Sequence, residues 1–238
     1  MNNAIVLTCY DRTQSQYDLT LDTLDSAIKQ DIPVDIYLID NGSTYEPWVG
    51  KIVPGMSGEI LRHPRNESPI KLGNLYAAKL FALGYEHILG MPNDVVLPPN
   101  LYRKLLERPE QMVAPNMDGQ NPPGIMETVE RIHGDLHMAV MLMRKSAYDT
   151  LMAKDGYLFD EGMFMYASDC DLKLRIAEAG ISTAQLDIQC WHYGGASHRL
   201  APDAHLVHEQ ADRDRTYFTR KWGFSIGSLE YNERISKL

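Results

Sequence analysis

The side chains best suited to chemistry in this sequence are two aspartates and a histidine, each next to a strand-like or helix-like segment. Asp94 ends a short apolar run and is followed by a second apolar step, Val95-Val96-Leu97. Asp169 lies at the start of a helical pattern, and His192 directly follows the strand-like Ile188–Trp191. Carboxylate oxygens bind hard cations, and an ionised carboxylate can accept a proton as a general base. A carboxylate at a strand end lies at the mouth of a sheet, where open α/β folds bind phosphorylated ligands.

The elements that must position these side chains alternate between strands and helices in the first half of the chain. Continuous apolar runs are typical of strands buried on both faces, and apolar residues at helical spacing predict the helices between them. This order predicts an α/β fold with a Rossmann-type, mostly parallel sheet flanked by helices. The predicted strands are Ala4–Thr8, Val34–Ile39, Ile60–Arg62 and the run into Asp94, and the predicted helices contain Tyr17–Ile28, Leu72–Leu83 and Leu101–Glu107.

The second half of the chain is less regular, and no linker separates it from the first half. We therefore expect a single domain over residues 1–225, with a nucleotide-binding half at 1–100, a half for a second substrate at 101–225, and a C-terminal tail at 226–238. The second half contains a polar loop at Asp118–Pro123, predicted strands at Met138–Met143 and Ile188–Trp191, and predicted helices at Lys145–Ala153 and Ser168–Ala179.

Composition limits the partners and the compartment. The net charge of −9 gives the chain no general attraction for nucleic acid. Three cysteines without metal-ligand spacing fit a reducing, cytoplasmic compartment. The N-terminus has no signal-peptide pattern, and no run approaches the roughly 20 apolar residues of a transmembrane segment.

Several other enzyme classes lack their motifs. No G-x-G-x-x-G follows the first strand and no G-x-x-x-x-G-K-[ST] is present, which argues against a dehydrogenase and a P-loop enzyme. A metallohydrolase is also disfavoured. Gly134 weakens a helical histidine pair in His133–His137, and His208–Asp212 lacks the second histidine of H-E-x-x-H.

A series of segments, taken in order through most of the chain, resembles the motifs of the family 2 glycosyltransferases with the GT-A fold. The ordered set is fairly specific. The segments are Thr8–Arg12 (T-x-Y-N-R), Leu38–Thr44 (V-D-D/N-G-S-T), Met91–Pro99 (the Asp-x-Asp metal segment), Phe159–Arg175 (F-D-E through E-D-x-D-L-x-x-R), Trp191–Gly194 (H-x-G) and Arg220–Gly223 (K-W-G).

The resemblance implies an inverting glycosyltransferase with a nucleoside-diphosphate sugar as donor. Tyr10 would stack on the base, and Asp40 would accept its N3–H, which favours a UDP- or dTDP-type donor. Asp40-Asn41-Gly42 also fits an Asx-type turn, and both interpretations can hold. A lone lysine such as Lys71 is more often a solvated surface residue. The implied donor-binding residues are Thr8, Tyr10, Arg12, Asp40, Lys71 and Asn93.

The resemblance also implies a metal site and a catalytic base. Asp94 and His192 would hold Mn²⁺ or Mg²⁺ on the diphosphate, although Pro92 and Asn93 stand where the family has further carboxylates. Asp169 matches the general base of the family, and the helix dipole favours its ionised form. Ser168 is the predicted N-cap of that helix, with Asp171 completing a capping box.

Other parts of the site stay open. His198 and Arg199 follow a Gly-rich run and would form a lid over the diphosphate. The acceptor, which Asp118–Ile125 and His133–His137 would contact, is a saccharide, a lipid-linked glycan, a protein or a modified nucleobase. The alternative function is a catalytically weak or inactive nucleotide-sugar or carbohydrate-binding module on the same fold, because the metal segment lacks its partner carboxylates.

Overall fold

The chain folds as one mixed sheet with helices on both faces, and the computed structural model describes residues 2–118, 138–193 and 206–236. Within these residues the strands are β1 (Asn3–Cys9), β2 (Asp35–Asn41), β3 (Gly58–His63), β4 (His87–Pro92), β5 (Val95–Val96), β6 (Met112–Asp118), β7 (Met141–Arg144) and β8 (Thr183–His192). The helices are α1 (Gln14–Ile28), α2 (Pro69–Ala82), α3 (Leu101–Leu106), α4 (Lys145–Asp155), α5 (Ser168–Ala179), α6 (Leu206–Trp222) and α7 (Leu229–Ile235).

The sheet has the order β3-β2-β1-β4-β7-β6-β8-β5. The first four of these strands are parallel, as the alternating pattern predicts, and their carboxyl ends meet at one edge. β7 runs antiparallel to β4 and to β6, whereas β8 is parallel to β6. The two-residue strand β5 pairs antiparallel with the end of β8. The predicted α/β, GT-A-like architecture is confirmed.

Alternate residues of the central strands enter two different apolar layers. Ile5 and Leu7 of β1 pack in the layer that contains α1 and α3, whereas Ala4 and Val6 face the layer of α2, α4 and α5. This separation follows from the two-residue period of a strand, which directs successive side chains to opposite faces. The second layer is the one in which the candidate site opens.

A third apolar cluster attaches the C-terminal helices to α5. Phe218 of α6 and Tyr231 of α7 are buried against Leu174 of α5. The predicted C-terminal tail, 226–238, thus contains a short packed helix. Its start is capped by Ser228, whose hydroxyl accepts a hydrogen bond from the backbone N–H of Tyr231.

The sequence pattern misses or misplaces some elements. β5, β6, α6 and α7 are not predicted, and the predicted capping of α5 is wrong. Ser168 is the first residue of α5 and donates its hydroxyl to the carbonyl of Met165, while Ala167 occupies the N-cap position. Asp171 instead pairs with Arg175 in the interior. Within the described residues, no helix is both long enough and apolar enough to span a bilayer.

Candidate active site

A cavity of about 800 Å³ opens where the carboxyl ends of β1 and β4 meet the starts of α2, α5 and α6. A cavity of this size can hold a nucleotide-sized ligand. The structure brings most of the predicted site residues together on its walls. These are Thr8, Tyr10 and Arg12 after β1, Asn93 and Asp94 after β4, Asp169 on α5, and His192 at the end of β8.

Asp94 and His192 become neighbours through the pairing of β5 with β8. Val95 lies opposite His192 in this ladder, and the N–H of Tyr193 donates to the carbonyl of Asp94 at 3.0 Å. The result is a separation of 3.3 Å between Asp94 Oδ1 and His192 Nε2. The two side chains, 98 positions apart in sequence, thus form one polar pair at the cavity wall.

The donor set of this pair suits a divalent cation with few protein ligands. Neighbouring ligands of an octahedral ion with bonds of about 2.1 Å lie about 3 Å apart, which is close to the observed separation. A carboxylate oxygen and an imidazole nitrogen together are acceptable to Mn²⁺. Among the described residues, no group of three or more His, Cys, Asp or Glu side chains could hold a metal ion. If the described residues supply only this pair, a bound diphosphate or water would provide further ligands.

Asn93 lines the cavity, but its side-chain amide belongs to a buried hydrogen-bond network. Its amide donates to Thr20 Oγ1 at 2.9 Å and to Asp11 Oδ1 at 3.3 Å. The residue is only 6% exposed. Asn93 therefore fixes the turn that carries Asp94, a role that the resemblance did not suggest.

Asp11 is the centre of that buried network. Its carboxylate accepts hydrogen bonds from Thr20 Oγ1 and Trp48 Nε1, both at 2.8 Å, and its backbone N–H donates to Ser43. Burial is the main cause that raises the pKa of Asp11 from 3.8 to about 6. The carboxylate joins β1, α1, the loop after β2 and, through Asn93, the end of β4.

Tyr10 and Arg12 form the part of the wall that follows β1. The Arg12 guanidinium lies 4.7 Å from the centre of the Tyr10 ring, a cation–π distance. The backbone N–H of Arg12 donates to the side chain of Gln16 in the first turn of α1, at 2.9 Å. An aromatic ring and a cation thus stand together at the strand end predicted to bind the donor.

Asp40 is predicted to contact the base of the donor, but its side chain does not line the cavity. Its carboxylate accepts hydrogen bonds from the N–H groups of Ser43 at 2.9 Å and Trp48 at 3.0 Å, and it pairs with Arg62. The residue has no exposed surface, so in this structure its carboxylate is not available to a nucleotide base. The turn interpretation of Asp40 accounts for its contacts.

Lys71 also lies away from the site. Its side chain is 60% exposed, and Nζ is 3.7 Å from Glu67. Together with Glu67 it lines a separate groove beside α2 and α4. The structure therefore gives Lys71 the surface role that a lone lysine usually has.

Asp169 lies in the first turn of α5 and is exposed at the cavity wall. The residue before this helix, Ala167, has a left-handed backbone with φ of 61°. A non-glycine residue in this region costs roughly 1–2 kcal/mol. The segment that leads into Asp169 must therefore be held in place by other contacts.

The main such contact is Asp214 of α6. Its carboxylate accepts hydrogen bonds from three successive backbone N–H groups, of Phe164 at 3.0 Å, Met165 at 2.9 Å and Tyr166 at 2.8 Å. Asp214 is 2% exposed. Hydrogen bonds to a buried charge are among the strongest in proteins, so Asp214 can offset the unfavourable backbone of Ala167.

Sequence reasoning missed the contribution of α6 to the site. Glu209, Gln210 and Arg213 of this helix line the cavity, and Arg213 pairs with Glu209 at 3.2 Å. The spacing of these polar residues on one helical face could have indicated this contribution. They lie in and just after the stretch that only half matches H-E-x-x-H. The proposed lid residues His198 and Arg199, the histidines of His133–His137 and residues 119–125 of the predicted acceptor loop lie outside the described residues.

The fold is that of solved glycosyltransferases of the GT-A type. S. aureus TarS 1-349 in complex with UDP superposes with a TM-score of 0.60 at 17% identity, over 98% of this chain and 77% of that chain. The same protein in complex with UDP-GlcNAc gives a TM-score of 0.57 at 17% identity, over 99% and 78%. The mannosyltransferase PcManGT from Pyrobaculum calidifontis, in complex with GDP-Man and Mn²⁺, gives 0.62 at 11% identity, over 99% and 68%.

At sequence identities of 11% to 17%, this structural similarity defines the fold and nothing further. No protein-family profile matches the chain, and no curated protein sequence matches it. The predicted GT-A fold is thus confirmed, while membership of family 2 stays a prediction.

We expect the Asp11 titration to appear in the pH dependence of stability. The folded chain holds this proton more tightly than the unfolded chain, so the contribution of Asp11 to the free energy of unfolding falls as the pH rises from about 4 to about 7. The difference between a pKa of 3.8 and a pKa of about 6 corresponds to about 3 kcal/mol. Urea unfolding across this range would measure the difference between wild type and Asp11→Asn. A constant difference would contradict the raised pKa.

Removal of the Asp214 charge should loosen the segment before Asp169. Asp214→Asn loses part of a set of buried, charge-assisted hydrogen bonds, and we expect unfolding to become easier by about 1.5–3 kcal/mol. Amide hydrogen exchange at Phe164, Met165 and Tyr166 should accelerate. Asp212→Asn is the matched control, because this carboxylate on the same helix is 78% exposed. Equal exchange in the two variants would show that Asp214 does not hold the segment.

Proposed function

We propose that this protein transfers a sugar from a nucleoside-diphosphate sugar to an acceptor hydroxyl, with inversion at the anomeric carbon. The observation that carries the proposal is the convergence of Asp94, His192 and Asp169 on one cavity at the carboxyl edge of a GT-A sheet. Solved proteins of this fold bind UDP, UDP-GlcNAc, and GDP-Man with Mn²⁺. Such a transfer requires a site for a divalent cation and a general base, and the pair Asp94 and His192 and the carboxylate of Asp169 could supply them in one cavity.

The donor would lie against the end of β1. Tyr10 stacks on the base and Arg12, together with Arg213 at the rim, supplies positive charge for the diphosphate. Thr8 lies on the same face of the cavity. Because every base has a π-face, stacking on Tyr10 does not select among bases. With Asp40 buried, the proposal names a nucleoside diphosphate without preferring uridine or thymidine.

Asp94 and His192 would hold the divalent cation, Mn²⁺ or Mg²⁺. When bound, the ion would neutralise the negative charge that grows on the diphosphate as the glycosidic bond breaks. Two protein ligands make a weak site by themselves, so we expect the cation and the nucleotide to bind together. Asn93, anchored to Asp11 and Thr20, keeps Asp94 in position for this task.

Asp169 would act as the general base. Its carboxylate takes the proton from the acceptor hydroxyl while the oxygen attacks the anomeric carbon on the face opposite the diphosphate. The new C–O bond forms, the bond to the phosphate oxygen breaks, and the nucleoside diphosphate leaves with the electron pair. Asp169 lies in the first turn of α5 at the wall of the cavity, where an acceptor hydroxyl can approach it. Asp214 and the segment that it holds set the position of Asp169.

A second candidate is a nucleotide-sugar or carbohydrate-binding module with weak or no catalysis. The observation that favours it is the small number of metal ligands in the described part of the chain, since Pro92 and Asn93 stand where the family has carboxylates and the amide of Asn93 is committed to the buried network. Such a module would bind the nucleotide sugar but would not turn it over. Measured donor turnover therefore separates the two functions.

Asp169→Asn should remove transfer while leaving donor binding in place. Loss of a general base lowers turnover by a factor on the order of 10² to 10⁴. A panel of nucleotide sugars with Mn²⁺ would first be screened by thermal stabilisation, because a bound ligand raises stability by mass action. Turnover and donor affinity are then measured for the variant, with Asp149→Asn on the exposed face of α4 as control. Near-normal turnover in Asp169→Asn would exclude this base.

Asp94→Ala and His192→Ala should each weaken nucleotide binding only when metal is present. Without cation, the wild type and both variants should bind UDP or GDP with similar affinity, since neither side chain is proposed to touch the nucleotide directly. With Mn²⁺, the wild type should bind more tightly and the variants should lose that gain. Calorimetry with and without Mn²⁺ measures both quantities. The metal role is wrong if Mn²⁺ leaves the affinity of the wild type unchanged.

A further inference from the structure

The cavity has a second part that the chemistry of the donor does not use. We define the apolar arm as the part lined by Val6, Ile88, Gly90, Met141, Met143 and Phe159. It lies below the polar residues of the site, between the sheet and α2. Every side chain in this set is apolar, in contrast to the polar wall formed by Arg12, Asp94 and Asp169.

The floor of the apolar arm is a row of side chains across three strands. In the register of the sheet, Gly90 of β4 lies beside Val6 of β1 and beside Met141 of β7. The next row of the same face contains Ile88 and Met143. Because Gly90 has no side chain, the row has a gap in its centre. Val6 stays partly exposed although it belongs to a central strand of the sheet.

The backbone conformation at position 90 does not require a glycine. Its φ does not fall in the left-handed region, and a Cβ atom added here would meet no other atom within 4 Å. A glycine inside a strand costs roughly 0.5–1 kcal/mol relative to alanine. A glycine that neither a turn nor close packing explains often marks a place where a ligand approaches the sheet.

The opposite wall is fixed, so the gap does not close by collapse. Phe159 packs on Gly73 of α2, where an added Cβ would lie 3.1 Å from the ring. Asn74 of α2 holds the backbone of Phe159 on both sides, donating to its carbonyl at 2.8 Å and accepting from its N–H at 2.7 Å. Ala77, one turn further along α2, is another small residue on this wall.

The apolar lining decides which part of a substrate fits. The hydroxyls of a sugar or the oxygens of a diphosphate would lose their hydrogen bonds to water in the apolar arm, at a cost of about 1–3 kcal/mol for each group. An apolar cavity instead binds apolar ligands. Methionines such as Met141 and Met143 adapt to the shape of such a ligand. The sugar and the diphosphate of the donor therefore do not suit the apolar arm, and the proposal already places the base against Tyr10.

We propose that the acceptor carries an apolar group next to its reactive hydroxyl and that this group occupies the apolar arm. The hydroxyl then points toward Asp169 and the apolar group lies over Gly90, between Val6 and Met141. This inference rests on the proposed glycosyl transfer for the identity of the second substrate. It narrows the acceptor to molecules with a hydrocarbon or aromatic part and argues against one that is polar throughout.

The test uses primary alcohols as minimal acceptors, namely butan-1-ol, hexan-1-ol and octan-1-ol. Their affinity for the full chain with UDP and Mn²⁺ is measured by calorimetry or ligand-observed NMR. Each buried methylene should tighten binding by about fourfold, so affinity should rise steeply with chain length. Gly90→Leu fills the gap and should remove this dependence. Ala78→Leu is the control, because it introduces a leucine at an exposed position of α2 that lines the separate groove and not the cavity.

The outcomes separate this inference from the proposed function. If UDP binds but alcohol affinity does not rise with chain length in the wild type, the apolar acceptor is excluded and glycosyl transfer is unaffected. If the dependence persists in Gly90→Leu with native-like thermal unfolding, the alcohols bind elsewhere and the inference is overturned. If the alcohols bind in the apolar arm but no nucleotide or nucleotide sugar binds, the apolar site stands and the proposed function fails.

Discussion

The candidate site depends on one buried carboxylate, that of Asp11. It receives hydrogen bonds from Trp48, Thr20 and Asn93, which belong to three separate parts of the chain. A buried carboxylate is costly unless its oxygens are hydrogen-bonded, so these partners are held to it and therefore to one another. The strand end with Tyr10 and Arg12 and the turn with Asp94 thus have a fixed relative position. The same burial that makes these hydrogen bonds necessary raises the pKa of Asp11 to about 6.

A second buried carboxylate does the same for the other half of the site. Asp214 binds three successive backbone N–H groups before α5 and thereby supports the left-handed Ala167 and the helix start that presents Asp169. Neither Asp11 nor Asp214 needs to touch a substrate. Each replaces the flexibility of a loop with a defined geometry, which a base or a metal ligand requires if it is to act on a bound substrate.

Size and polarity are distributed unevenly along the cavity, and this limits what it can hold. Polar side chains collect at the carboxyl edge of the sheet because strand ends are where the chain turns. Deeper in, the same face of the sheet is apolar because it continues the layer of α2, α4 and α5. The missing side chain at Gly90 lets the cavity extend from the first region into the second. One cavity can therefore offer a polar region to a charged ligand and an apolar region to an apolar group.

The sequence by itself determined the alternation of strands and helices, the parallel first half of the sheet, and the segments that carry Asp94, Asp169 and His192. These follow from local periodicity and from the resemblance of ordered motifs, neither of which needs distant contacts. Only the tertiary structure decided that β5 and β8 pair, that Asp40 and Asn93 bind buried partners, that Ala167 rather than Ser168 precedes α5, and that Gly90 faces open space. Each of these depends on a neighbour from a distant part of the chain or on the exact path of the backbone. A sequence pattern shows neither the distant neighbours of a residue nor the path of its backbone, because burial and hydrogen-bond partners are properties of the packed chain.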